Sequence, residues 1–538
     1  MPATSSFKEI LISRLCAAGV SRLFGVPGGG TSLDLMVAAK AAGLDVVITA
    51  REDAAVIMAG VSGILAETPG VAFATRGPGL ASAINGVAAA TLDRFPALLV
   101  AEIAAPAEYQ YVSHQFIDQA AMVKPLMRQD DDLLQATPEA LDNWLQQSPS
   151  PPRRPAAMFP TVSDFAQAFA NTAPAEASAP PAVDGADIAA AAALIAGSRR
   201  PVFIIGIEAA RRGLAAAVSA LVKESGGGAL TTYMAAGTIA ADDPRQIGLF
   251  TGGALERPAV AAADLIVLVG LDPVELIPQP WAYSAPVIEL AEEIHQPHYL
   301  QPELQIIGPL PETVSALLAA LPPRPAEHGW GVNDLADERQ RMRTALTINS
   351  DAGLSPSASV AIAAETFAGG PRLTVDAGAH MFAACAFWPT QAPRDLLISN
   401  GLATMGFAIP GAIAAALHDP QRGALAITGD GGALMCLGEL KTIAQYQANV
   451  CILLFNDGRL SLIDIKREAR QMADLGLSWE APDFAMTAAA FGFQTWTADS
   501  TDSLRQACQE AAASNGPRLI DARINADSYL EQIKALRG

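Results

Sequence analysis

"AITGDGGALMCLGELKTIAQYQANVCILLFNDG", residues 426–458, decides the fold. Two apolar runs, "ALAIT" and "VCILLF", have the length and composition of buried parallel strands, and the stretch between them has the length and composition of a crossover helix. Asp430 closes the first run between Gly429 and Gly431, and Asn456 closes the second 26 positions later. In a parallel α/β sheet, ligands collect at the carboxyl ends of the strands. Neighbouring strand tips here would present a carboxylate, an amide oxygen and a loop carbonyl to a hard divalent cation such as Mg2+. Such an ion takes oxygen ligands and keeps positions for phosphate or water. Gly429, Gly431 and Gly432 allow close backbone approach, and a helix expected from near Ala433 offers free N–H groups to an anion. A Gly-Asp-Gly alone is more often a plain strand-to-helix turn. The strand-tip asparagine at this distance points instead to a metal-bridged diphosphate seat.

Working outward, the same alternation recurs along all 538 residues. In the first third, "RLFGVPGG", "DVVITA", "GVAFAT" and "ALLVAEI" read as strands separated by helices, with "RPAAMFPTV" as a last strand. The Pro/Ala/Ser-rich stretch 170–187 marks a linker. The pattern restarts over 188–321, loosens over 322–354 and resumes over 355–538. The fold class expected is α/β, with three doubly wound parallel-sheet domains: 1–169, a middle Rossmann-like domain at 188–321, and 355–538.

Composition narrows the function classes. Half of the residues are hydrophobic, 17% are charged and the formal charge is −20, a balance that disfavours nucleic acid or an anionic membrane as partner. Cys16, Cys385, Cys436, Cys451 and Cys508 are scattered, odd in number and without a C-x-x-C pair, which suits a reducing cytoplasm and indicates neither a disulfide framework nor a zinc site. The N-terminal "MPATSSFKEILISRL" reads as a capped amphipathic helix and not as a signal peptide. Residues 396–417 carry no charge over a bilayer-spanning length, but Gly401, Gly406, Pro410 and Gly411 interrupt them, and a buried loop-plus-helix is the expected structure.

With these motifs in place, the chain resembles the thiamine-diphosphate (ThDP)-dependent 2-oxoacid decarboxylases and carboligases, and within that family it resembles the large catalytic subunit of acetolactate synthase. The resemblance covers nearly the whole chain. It implies a pyrimidine-binding domain at 1–169, a diphosphate- and Mg2+-binding domain at 355–538, and metal ligation by Asp430, Asn456 and Gly458. Glu52 in "TAREDAA" matches the glutamate that hydrogen-bonds N1′ of the aminopyrimidine and promotes acid–base activation of the thiazolium. Pro27 and Thr75 fall among the implied cofactor contacts; "TRGPG" matches a Gly-Pro-Gly segment, with Arg76 replacing a small polar residue. In "SNGLATMGFAIPGA", Met405 matches the apolar wedge between the cofactor rings, and the Ala403 carbonyl matches the acceptor for the 4′-amino group. In "VDAGAHMFAA", Gly378 and His380 match the loop over the diphosphate.

The resemblance loosens where substrate would lie. Gly29 and Gly30 stand where aldehyde-lyase relatives place a histidine, whereas residues 112–125 resemble benzaldehyde lyase and put His114 or Gln115 at a polar active-site position. His114 equally fits a solvated loop histidine without a role in the reaction. Leu460, Leu462 and Ile463 fit either an acceptor-pocket wall or core; Lys466, Arg467 and Arg470 fit either an anion-attracting cluster or a helix exterior. The middle domain lacks a convincing G-x-G-x-x-G, so FAD or ADP there, as in several relatives, is not favoured. The activity implied is decarboxylation of a 2-oxoacid with release of the aldehyde or its ligation to a second carbonyl compound. Alternatives are a C–C lyase acting on a 2-hydroxy ketone or 2-hydroxyacyl-CoA, and a non-catalytic ThDP-binding homologue, against which Glu52 argues. A homodimer or homotetramer with active sites between subunits is the implied assembly.

Overall fold

The computed structural model describes residues 4–111, 113–148, 153–170, 183–276, 280–295, 300–324, 328–348, 353–367 and 370–538. Most of the stretch expected as the first linker lies outside the described residues. Three six-stranded parallel sheets carry the fold. The first comprises β1 (Arg22–Gly25), β2 (Asp45–Ile48), β3 (Gly70–Ala74), β4 (Ala97–Ala101), β5 (Leu133–Leu134) and β6 (Ala156–Met158), in spatial order β2-β1-β3-β4-β6-β5. The middle sheet contains β7 (Pro201–Ile205), β8 (Gly228–Thr231), β9 (Gln246–Leu249), β10 (Leu265–Val269), β11 (Val287–Ala291) and β12 (Leu304–Ile307), ordered β9-β8-β7-β10-β11-β12. The third contains β13 (Arg372–Val375), β14 (Leu396–Ile398), β15 (Ala424–Gly429), β16 (Val450–Asn456), β17 (Gln494–Ala498) and β18 (Arg518–Arg523), ordered β14-β13-β15-β16-β18-β17.

The first and third sheets therefore share one strand order, while the middle sheet has the dinucleotide-fold order. Each reverses direction between β1 and β3, β7 and β10, or β13 and β15, and opens a crevice there at the carboxyl edge, and in the first and third sheets the last strand also folds back inside the one before it. Every strand tip singled out in the sequence lies at such an edge. The strands are apolar throughout because helices cover both faces: β4, β7, β10 and β11 are buried over their whole length.

The chain forms two compact units, one made of 1–178, 402–424 and 434–450, the other of 179–401, 425–433 and 451–538. In the first, helix Glu52–Ala66 packs against helix Pro78–Leu92 and helix Ala408–His418, and Phe95 stacks on Phe407. The uncharged 396–417 stretch is thus a strand, a loop and a buried helix; among the described residues no helix is long and apolar enough to cross a membrane. The N-terminal helix Phe7–Ala17 carries the expected capping box between Ser6 and Glu9. In the second unit, the segment expected as a loose linker at 322–354 holds a fifteen-residue helix, Val332–Leu346, packed against the middle sheet with Leu335 on Gly228 of β8 and Met342 on Gly248 of β9. Its apolar residues are few and widely spaced among charges, which makes it read as loop.

The crossover in the opening stretch also differs from expectation. The first helix starts at Asp430, directly after β15, and ends at Met435; a second runs Glu439–Tyr446 after a break at Leu437–Gly438. Helix N–H groups therefore begin at the aspartate itself, three residues earlier than expected.

Candidate active site

In the second unit, the tips of β13, β15 and β16 converge. Asp430 is 2% exposed; its Oδ1 accepts the Gly431 N–H at 2.8 Å and its Oδ2 accepts the Gly458 N–H at 2.9 Å. Burial, and then the charge of Asp457, push the Asp430 carboxyl up to about 7, against the pull of those two amides. Gly458 has φ +68°, and a Cβ there would come 2.8 Å from the Trp479 carbonyl, so only glycine makes this turn cheaply. Asn456 is also 2% exposed. Its Nδ2 donates to Asp521 Oδ1 at 2.9 Å, which leaves Oδ1 buried without a partner. An orphaned amide oxygen and a carboxylate lifted by burial, at the tips of neighbouring strands, are oxygen donors that could hold a hard cation.

The turns after β13 and β15 pack together alongside. Thr428 Oγ1 donates to Asp376 Oδ2 at 2.8 Å, and a Cβ on Gly432 would sit 2.3 Å from that same oxygen, so the turn after β15 is closely packed against the turn after β13. Gly378 and Gly429 both lie against the His380 ring. His380 is buried and its Nε2 has no partner; burial drives its pKa down to about 4, so the ring is neutral. The structure thus groups Gly378, His380, Gly429, Asp430, Gly431, Gly432, Asn456 and Gly458 at one edge. Asp376, Asp457 and Asp521 join them and were not singled out in the sequence. Asp457 was visible in the Asn-Asp-Gly triplet; Asp521 carried no local signal.

In the first unit, Gly28 and Thr75 meet at the crevice between β1 and β3, where a Cβ on Gly28 would fall 2.2 Å from Thr75 Oγ1; Pro27 immediately precedes. Glu52 opens the helix after β2, and its Oε1 lies 3.2 Å from where a Gly79 Cβ would be. Arg76 faces Glu102 at 3.8 Å, and Glu102 Oε2 accepts the Thr31 N–H at 2.6 Å. Gln115 has φ +58° and packs on Gly77, but its side chain and that of His114 are exposed. The buried polar residue of that segment is Gln119, which accepts from Gly77 N–H at 2.9 Å and donates to the Glu102 carbonyl at 3.0 Å. Ala403 adopts φ +55°, a left-handed conformation that costs a non-glycine residue roughly 1–2 kcal/mol. Met405 lines a cavity of about 520 Å³ with Arg51, Asn85, Thr404 and Glu439.

Comparison with known proteins matches all three sheets in order. Residues 6–122 match the thiamine pyrophosphate enzyme N-terminal TPP binding domain, 188–317 the central domain and 376–522 the C-terminal TPP binding domain. The chain belongs to the thiamine pyrophosphate enzymes. Among proteins of this family, it is similar to acetolactate synthase of Bacillus subtilis, 28% identical over 96% of this chain and 93% of the relative. It is also similar to the catabolic acetolactate synthase of Raoultella terrigena, 27% identical over 95% and 94%. A probable 2-ketoarginine decarboxylase of Pseudomonas aeruginosa is 26% identical over 96% and 93%. As a thiamine pyrophosphate enzyme, the chain carries its TPP-binding matches on the two sheets that hold the candidate residues.

The residues with two readings divide by environment. Arg467 is engaged by Asp464 at 2.6 Å and Glu468 at 3.2 Å, which makes it part of a paired helix exterior. Leu462 packs against the core, Leu460 is half-buried and Ile463 is 48% exposed. All five cysteines are free thiols.

Proposed function

We propose that this enzyme uses ThDP and Mg2+ to decarboxylate a small 2-oxoacid, and releases the aldehyde or ligates it to a second carbonyl compound. The observation that carries the metal assignment is the buried, partnerless Asn456 Oδ1 at the tip of the strand next to the one that Asp430 follows. Asp430, Asn456 and the Gly458 carbonyl would hold Mg2+, with Gly429, Gly431, Gly432, Gly378 and His380 around the diphosphate. Bound ThDP supplies an electron sink for the carbons that gain charge when CO2 leaves. Glu52 would hold and return the proton at N1′, and Met405 and the Ala403 carbonyl would orient the rings. The names of the relatives, acetolactate synthases and a 2-keto acid decarboxylase, support the reaction class. The family resemblance supports a homodimer or homotetramer, and the unpaired cysteines support a cytoplasmic location.

Product analysis tests the reading. The loaded enzyme should consume a 2-oxoacid and yield an aldehyde or a 2-hydroxy ketone or acid. Cleavage of a 2-hydroxy ketone with 2-oxoacids untouched would overturn it in favour of a lyase. Removing the carboxylate that aims Asn456 gives a second test. Asp521→Ala should weaken Mg2+ affinity about 10- to 100-fold, the usual effect of losing a partner behind a metal ligand, as read by calorimetry at saturating ThDP.

On this reading the middle domain takes no dinucleotide. Its crevice between β7 and β10 is filled from within: Glu275 Oε2 accepts the Ile207 N–H at 2.8 Å, at the helix start where a pyrophosphate would dock, and Oε1 accepts from Thr232. Burial raises the Glu275 carboxyl to about 8. The folded protein therefore holds a proton that the unfolded chain releases near 4.5, and stability should fall as pH rises from there to about 8. Thermal melts across this window should show that decline, and Glu275→Gln should make it shallower, with the contribution of Asp430 remaining.

A further inference from the structure

The helix that carries Glu52 has no cap of its own. Its N-cap position, Arg51, offers no side-chain acceptor, and the N–H groups of Ala50 and Arg51 both reach Glu439 Oε1 at 3.0 Å. Glu439 is 1% exposed, and its Oε2 accepts from Thr442 Oγ1 at 2.7 Å, which locks the carboxylate toward the turn. At the far end of the same short helix, Tyr446 Oη accepts the Ile48 N–H at 2.8 Å and donates to the Val46 carbonyl at 3.3 Å, tying that end to β2. Helix Glu439–Tyr446 therefore grips the strand, the turn and the helix start that immediately precede Glu52. In sequence it follows the Gly-Asp-Gly segment by only a few residues.

We infer that Glu439 is a positioning residue for the reaction: by holding the Ala50–Arg51 turn, it sets the place from which the Glu52 carboxylate reaches the cofactor. A carboxylate is suited to this because one oxygen can serve two adjacent amides while the other is anchored. An amide side chain keeps one acceptor oxygen, whereas alanine keeps none. A displacement of about 1 Å at a proton-transferring group can cost on the order of 100-fold in rate.

The inference rests on the ThDP reading, and its test separates the two. The measurement is deuterium exchange at C2 of ThDP bound to the Mg2+-loaded enzyme at saturating cofactor, without substrate, alongside ThDP affinity. Glu439→Ala should slow exchange on the order of 10- to 100-fold with affinity changed much less, and Glu439→Gln should recover most of the rate. Thr442→Ala, which frees the carboxylate without deleting it, should slow exchange by a smaller factor and decides the matter if Glu439→Ala does not fold. Exchange at the wild-type rate in folded Glu439→Ala, or in Thr442→Ala if the first variant is lost, would overturn this inference alone. A wild-type enzyme that binds ThDP without accelerating exchange would overturn the cofactor chemistry and this inference with it.

Discussion

Glu52→Gln is expected to reduce turnover by about 10²- to 10⁴-fold, the range in which a positioned acid–base group contributes. At about 1.36 kcal/mol per tenfold, the lost stabilisation of the transition state is roughly 3–5 kcal/mol. Glutamine matches the size of glutamate and still accepts a hydrogen bond, but it does not hold a transferable proton. The loss should therefore appear in kcat, with ThDP affinity close to that of the wild type, because the diphosphate seat belongs to different residues. Steady-state kinetics combined with a ThDP titration checks both parts. Retention of more than about a tenth of the activity would contradict the role given to Glu52.

Asp430→Asn is expected to weaken Mg2+-dependent ThDP binding by more than about 100-fold, since losing even a supporting group behind a metal ligand costs 10- to 100-fold. The variant keeps the shape of the side chain and an acceptor oxygen for one of the two amides, removes the charge, and turns an NH2 donor toward the other amide. That charge is costly when no cation is present, because burial and Asp457 lift the carboxyl to about 7. The apo variant relieves a buried charge and gives up one hydrogen bond, two effects of opposite sign, so it should melt close to the apo wild type, while it loses the stabilisation that Mg2+ and ThDP together confer on the wild type. A melting curve with and without both ligands measures the two effects in one experiment. Equal ligand-induced shifts in the two proteins would place the metal elsewhere.

Much of this site was legible in the sequence because its parts are local. Strand tips follow from apolar runs that end in Gly-Asp-Gly and Asn-Asp-Gly, and the carboxyl-edge rule places ligands there. The helix at Val332–Leu346 and the break at Leu437–Gly438 were not legible: the first has a charged, weakly periodic surface, and the second sits inside a run that reads as continuous. Asp521 was hidden because its contact with Asn456 depends on β16 and β18 being neighbours, a fact of strand order that no local pattern encodes. Glu439 was hidden more deeply. Its partners are backbone amides 388 and 389 positions away, which leave no trace in side-chain identity. His114 and Gln115 stood out by residue type and by resemblance, yet the buried polar residue of their segment is Gln119. Side-chain type identifies candidates; burial and hydrogen bonding sort them.

The most direct measurement of the central claim is CO2 release from a panel of 2-oxoacids spanning pyruvate, longer branched acids and benzoylformate, with and without ThDP and Mg2+. Release is expected from at least one acid, dependent on both ligands and abolished in Glu52→Gln. No release from any member, with ThDP demonstrably bound, would contradict that claim.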